Sequence, residues 1–170
     1  KFRNKASKAL GELYYNDWGL DSFGKRLAAA KTTMPVYGGT AEKWYTDHKV
    51  LKDYLGRDVV MDEKVFERHT TKGYQKARVP LLACIEEVLS DPDEVWLNDY
   101  IKGFSNLNFI KFYDGKVINV ICEVTEDLEY KITTWFEIMQ RPKLERKVIP
   151  SERRADPRWK YRRGLLIKKA

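Results

Sequence analysis

Apolar side chains recur along this chain with two different periods, and the change from one to the other falls near residue 90. In Lys1 to Ala30, Leu10, Leu13 and Tyr14 share one face of a helical pattern, Gly19 interrupts it, and Phe23 and Leu27 resume it. Ala41 to Leu55 carries Trp44, Tyr45, His48, Leu51, Tyr54 and Leu55 at helical spacing, with Gly56 as a C-terminal stop. Val65 to Leu89 places Val79, Leu82, Cys84, Ile85, Val88 and Leu89 three to four apart, with Glu86 and Glu87 on the other side. The spacing predicts helix over most of that stretch, with Pro80 marking its start or a kink.

Ser90-Asp91-Pro92-Asp93 then forces a turn, because the residue before proline resists helix and Asp caps turns. Glu94 to Asn98, Asn108 to Tyr113, Lys116 to Thr125 and Tyr130 to Ile138 follow, rich in Val, Ile, Thr, Phe, Tyr and Trp, which predicts strands. Asp114-Gly115 joins two of them as a tight hairpin, and Thr125 to Glu129 forms the next. Arg141 to Trp159 reads as a long basic loop and Leu165 to Lys168 as a closing strand. Helices followed by an antiparallel meander predict an α+β fold, with N-terminal helices packed on a twisted sheet of about four to five strands. Thr32 to Gly39, with Met34-Pro35 and Gly38-Gly39, opposes both helix and strand. The expected division is a helical connector and linker over 1–39 and one domain over 40–170, with its core at 65–170.

Charge sharpens this picture. Residues 141–170 hold twelve basic and three acidic side chains, a surplus of nine, whereas the whole chain carries +7, so residues 1–140 sum to about −2. A cationic block beside a nearly neutral body raises the local concentration of polyanions such as nucleic acid. Trp159, Tyr161, Leu165, Leu166 and Ile167 are woven through it, which suits a surface that docks and not a solvated tail. Length and aromatic content suit one globular domain, and no apolar run approaches a membrane span or a signal peptide. The chain opens on Lys1 and not on Met, as a piece of a longer precursor would. Cys84 and Cys122 sit among apolar residues without metal-ligand spacing, so buried free thiols are expected.

Strand parity sorts the side chains by face. Ile118, Val120, Cys122 and Val124 are assigned to the core, and Lys111, Tyr113, Asn119, Glu123, Lys131, Thr133, Trp135 and Glu137 to the other sheet face. Amine, carboxylate, hydroxyl and aromatic groups beside a cationic loop can hold and cut a phosphodiester; a solvated outer face has the same composition. A metal-independent ribonuclease needs a base for the 2′-hydroxyl, an acid for the leaving 5′-oxygen, and donors for the charged phosphorane. His69, in Glu67-Arg68-His69-Thr70-Thr71, is the candidate base, with Arg68 and a helix N-terminus expected to lower its pKa. His48 reads as structural. No paired histidines at metal spacing, no phosphate-cradling glycine loop and no nucleophile elbow occur, so neither metal nor cofactor is expected.

Arg68-His69-Thr70 ahead of a helix, Asp91-Pro92-Asp93-Glu94-Val95-Trp96, the hairpin from Phe109-Ile110-Lys111-Phe112-Tyr113 to Glu123, the strand Ile132-Thr133-Thr134-Trp135-Phe136 and the close Tyr161-Arg162-Arg163-Gly164-Leu165-Leu166 together resemble a known family. It is the phage-associated branch of the barnase, EndoU, colicin and RelE-like nuclease superfamily. The resemblance spans roughly Val65 to Ala170, and the stretch through Trp18-Gly19-Leu20-Asp21-Ser22-Phe23 is similar to the connector before such modules. It implies a toxin at the C-terminus of phage minor head proteins or of contact-dependent-inhibition and other polymorphic toxins. Such a domain is delivered as part of a larger precursor and acts in a target cell's cytoplasm. It cuts RNA, often transfer RNA, without metal, and a cognate immunity protein restrains an otherwise monomeric domain with no membrane partner.

The resemblance assigns His69 as acid or base, a strand threonine as phosphate donor, and Lys111 and Arg163 as phosphate clamps, with Arg162 or Tyr161 next. Arg68, Tyr113 and Trp135 complete the expected substrate surface. Parity favours Thr133 as the donor, the family-like order favours Thr134, and a bulge would reconcile the two. No second histidine is offered by the strands, so the acid is sought among Lys111, Tyr113, Tyr161 and Glu123. Two other functions fit the same residues: a non-catalytic RNA-binding or phage-head module using the basic block, and an ADP-ribosyltransferase with Glu137 as its catalytic carboxylate.

Overall fold

A computed structural model describes residues 23–71, 73, 75–101, 104–138, 161, 162 and 164–169. The chain forms a mixed fold around one seven-stranded sheet. Residues 23–29 are helical (α1), followed by α2 (Ala41–Asp47), β1 (Val50–Lys52), β2 (Asp58–Val60), α3 (Glu63–Thr70), α4 (Gln75–Arg78) and α5 (Leu82–Ser90). Then come β3 (Glu94–Ile101), β4 (Phe104–Tyr113), β5 (Lys116–Val124), β6 (Tyr130–Glu137) and β7 (Leu165–Lys169). The spatial order is β1-β2-β6-β5-β4-β3-β7, antiparallel except where β2 runs parallel to β6.

The meander and the closing strand lie where periodicity placed them, but the sheet has seven strands and not four to five. Of the two extra strands, β1 comes from the stretch that reads as helix to Leu55 and β2 follows just beyond it. Helix α2 ends at Asp47, and Val50–Lys52 pairs with Asp58–Val60. The side chain of Asp53 decides this locally: its Oδ1 accepts the backbone N–H of Leu55 (3.0 Å) and of Arg57 (2.9 Å), and its Oδ2 accepts Arg57 Nε (2.6 Å). Gly56, at φ +78°, turns the chain within a hairpin and does not end a helix. Likewise the long helix expected over 65–89 is three helices, with breaks after Thr70 and around Val79-Pro80.

Helices α2, α3 and α5 cover one face of the sheet, where Trp44, Leu51, Phe66 and Ile85 meet Phe109, Ile118, Val120 and Trp135 in the main core. Cys84 and Cys122 are both buried free thiols, as expected, and burial pushes the Cys84 thiol up to about 11. Helix α1 covers part of the second face. Phe23 is fully buried there, edge-on to Phe112 at 5.4 Å, and a side chain of that size contributes about 1.5–3 kcal/mol on burial. Beneath it the fully buried Glu94 carboxylate accepts Trp96 Nε1 (2.8 Å) and Arg162 Nε (2.9 Å) and pairs with Arg26 (3.1 Å). Those bonds join α1, β3 and the turn before β7, and breaking one member of such a buried pair costs about 3–5 kcal/mol.

Register corrects the expected faces. The Asp114-Gly115 turn, with Gly115 at φ +76°, sets Tyr113 opposite Lys116 and therefore Lys111 opposite Ile118. Cross-strand partners share a face. Lys111 and Tyr113 thus lie on the helix-covered side with Ile118, apart from Asn119 and Glu123.

Candidate active site

Helix α3 buries Phe66 and Thr70 against the sheet, and Phe66 stacks near Trp135 of β6 at 6.4 Å. Three residues on, His69 falls on the same helix face, its ring 5.1 Å from the indole of Trp135. His69 Nδ1 lies 2.7 Å from the carbonyl of Val65. A carbonyl only accepts, so Nδ1 carries the proton and Nε2 is the nitrogen that titrates.

The His69 pKa is lowered from its ordinary value of 6.5, first by burial and then by the charges of Arg78 and Arg68, against the opposing bond to Val65. Arg68 is one of these causes, as expected, whereas the expected helix N-terminus is not. His69 occupies the last turn of α3, where the helix dipole favours imidazolium, so the shift is made by burial and the guanidinium groups and not by a helix N-terminus.

Arg78 ends α4 and straddles the outer edge of β6. Strand β2 pairs with β6 only at Tyr130 and Lys131, which leaves the edge beyond them open to a side chain. On the helix side the Arg78 carbonyl accepts Trp135 Nε1–H at 2.9 Å. On the other side Nη1 donates to Thr134 Oγ1 at 3.0 Å and also to the Trp135 carbonyl, and the guanidinium lies 5.4 Å over the Phe136 ring. Arg78 thereby bridges the strand edge, with the His69 imidazole against Trp135 on the helix side and the Thr134 hydroxyl on the other.

A bulge sets which threonine meets Arg78. Ile121 pairs with Thr134 and Cys122 with Ile132, so Thr133 is the extra residue. Its Oγ1 bonds back to the Ile121 carbonyl at 3.3 Å, while Thr134 and Phe136 point to the second face and Trp135 to the core. The competing parities of the two threonines are reconciled in this way.

The remaining expected residues are distributed more widely. Lys111 is 6% exposed, and its ammonium donates to the Asp91 carbonyl (2.8 Å) and carboxylate (3.0 Å) at the C-terminus of α5, away from His69. Tyr113 is fully buried near Cys84 and Glu87, and burial raises its pKa. Trp135 is also fully buried, so its indole positions neighbours and offers no stacking surface. Arg162 is committed to Glu94, Tyr161 packs on Phe136 at 4.8 Å, and Arg68 is exposed on α3. Arg163, the basic loop and most of the cationic block lie outside the described residues.

Sequence reasoning missed Arg78 and Phe136. Arg78 has no pattern separating it from Lys72 and Lys76, and its role follows from the bulged edge it caps. Among the described residues no three His, Cys, Asp or Glu side chains gather as metal ligands, and no helix is long and apolar enough to cross a membrane.

A family model described as phage-Barnase-EndoU-ColicinE5/D-RelE like nuclease2 matches residues 38–165, most of the chain. The chain belongs to this nuclease family. No curated protein and no solved structure matches it.

Proposed function

We propose that this member of the nuclease family is a metal-independent endoribonuclease that cuts RNA through attack by the 2′-hydroxyl. The observation that carries the reading is Arg78, whose one side chain meets Thr134 and whose charge acts on His69 across the edge of β6. In the proposed reaction His69 Nε2 takes the 2′-hydroxyl proton, and the 2′-oxygen bonds to phosphorus. The bond to the 5′-oxygen breaks, giving a 2′,3′-cyclic phosphate and a 5′-hydroxyl. Arg78 and the Thr134 hydroxyl face the non-bridging oxygens, where donors aimed at developing charge are worth most. Of the four candidate acids, Tyr161 is the one that touches this cluster, through Phe136, and it supplies the proton for the leaving oxygen.

The lowered His69 pKa supports this role, because a base must be unprotonated at the working pH. The test is incubation of the protein with total RNA in chelator, followed by mapping of the ends. Cyclic-phosphate and 5′-hydroxyl ends from wild type, absent with His69→Ala, are expected. Intact RNA that remains bound to wild type would leave the non-catalytic binding module as the better account.

The toxin role, transfer RNA as target and restraint by an immunity protein belong to the same proposal and rest on the family and the charge block. Expression in a host without a partner gene is expected to arrest growth with loss of transfer RNA. Normal growth with active protein present would remove that part.

A further inference from the structure

Beside the phosphate-facing pair the second sheet face offers the ring of Phe136, to which the proposed chemistry gives no step of its own. Thr134 and Phe136 project from the same side of β6, two residues and therefore about 6.6–6.8 Å apart along the strand. That spacing is comparable with the reach from a phosphate to the base it carries. Arg78 spans the interval, bonded to Thr134 at one end and lying over Phe136 at the other. Phe136 is partly exposed, and the part-exposed Tyr161 braces it at 60°.

The neighbouring strand adds a second, independent observation. Asn119 is the register partner of Phe136 and is fully buried. Its amide donates to Asn108 Oδ1 at 3.2 Å, whereas its own Oδ1 is buried without a hydrogen-bond partner among the described residues. A buried acceptor left unsatisfied is an uncompensated desolvation cost, and it marks a place where an incoming donor is favoured. Unpaired bases carry both features that would complete this corner: a π face for the ring and N–H donors along the edge.

We infer that Phe136 and Asn119 form a nucleobase subsite for the nucleotide that flanks the cut phosphate, with the base against Phe136 and an N–H of its edge on Asn119 Oδ1. The inference rests on the proposed cleavage site at the β6 edge and extends it from phosphate to base. Its ligand is an unpaired base of single-stranded RNA.

The test pairs protein and RNA changes on the full chain. The substrate is an RNA oligonucleotide holding one mapped cut site, intact or abasic at the flanking position. Phe136→Leu, which keeps apolar bulk without a π face, is expected to raise KM on intact RNA roughly 5- to 150-fold over wild type. On abasic RNA its KM should match that of wild type, and Phe136→Trp should retain tight binding on the intact strand. An undiminished Phe136→Leu defect on abasic RNA, or none on intact RNA, would overturn the subsite. Asn119→Ala should flatten the base preference at that flank in random-sequence RNA, and an unchanged cut spectrum removes Asn119 from it. Should wild type leave all RNA uncut, the cleavage reading fails by itself, and the same oligonucleotides are then compared by Kd with the same two outcomes.

Discussion

The two histidines of this protein share a local design and differ in what surrounds it. His48 and His69 each sit at or near a helix C-terminus, with Nδ1 2.7 Å from the carbonyl four residues back, Trp44 in one case and Val65 in the other. Both rings lie against a tryptophan, His48 on Trp44 at 4.6 Å and His69 on Trp135 at 5.1 Å. Across from these shared contacts, His48 Nε2 faces the Glu86 carboxylate of α5 at 3.6 Å, whereas His69 is flanked by the cations Arg78 and Arg68. One backbone motif thus stands in two electrostatic settings, and in the proposed reaction only the cationic one makes a base. The sign of the neighbouring charge and the presence of an open strand edge decide between them.

The sharpest way to break this contrast is to remove each ring. His69→Ala should lower the cleavage rate about 10²- to 10⁴-fold with the fold and RNA binding retained, as removal of a general acid or base does. His48→Ala should leave cleavage near wild type and lower the melting temperature. Equal losses of activity from the two variants would erase the distinction. Next comes the charge that sets His69 apart. Arg78→Ala should cost about 10²- to 10³-fold in kcat, the range for one donor to a developing oxyanion, measured at saturating RNA.

A smaller effect is expected in the pH profile. With the His69 pKa lowered, wild-type cleavage should rise with pH through a midpoint below 6.5 and be flat above it. Arg78→Gln should move that midpoint up but short of 6.5, because burial is the larger cause. Stability should follow the same sign. Between the lowered folded value and 6.5 the unfolded chain binds more protons, so this group makes stability rise with pH through that window and adds no slope above it. A midpoint at or above 6.5 would contradict the electrostatic contrast. The smallest effect separates the threonines: Thr134→Val should cost several-fold more activity than Thr133→Val, since only Thr134 meets Arg78. The reverse order would move the donor to the bulge.

Much of the fold was legible because its signals are local. Asp114-Gly115 announces its hairpin through a glycine that must adopt positive φ, and Ser90-Asp91-Pro92-Asp93 stops α5 through the restraint proline places on its neighbour. Strands β1 and β2 were not legible. Leu51, Tyr54 and Leu55 repeat at helical spacing, yet Leu55 is 62% exposed and Leu51 is buried by pairing with a strand. Tertiary pairing overrode a weak local preference there. The face of Lys111 is readable in principle, since a two-residue turn places it opposite Ile118, but alternation within one strand does not carry that pairing.

His69 and the threonine pair stand out as candidates from residue type, because an imidazole and hydroxyls beside basic residues suit phosphodiester chemistry. Which of them meet depended on long-range geometry. The bulge at Thr133 turns Thr134 outward and Trp135 inward, and the shortness of β2 leaves an edge for Arg78 to cross. Composition and periodicity by themselves determined the class of fold, the hairpins and the cationic end, since these follow from propensities and charges that each residue carries wherever it sits. The partners of His69, the burial of Lys111 and Trp135, and the meeting of Arg78 with Thr134 across one edge were decided by tertiary structure. Register and packing join residues far apart in the chain, and no single stretch contains that information.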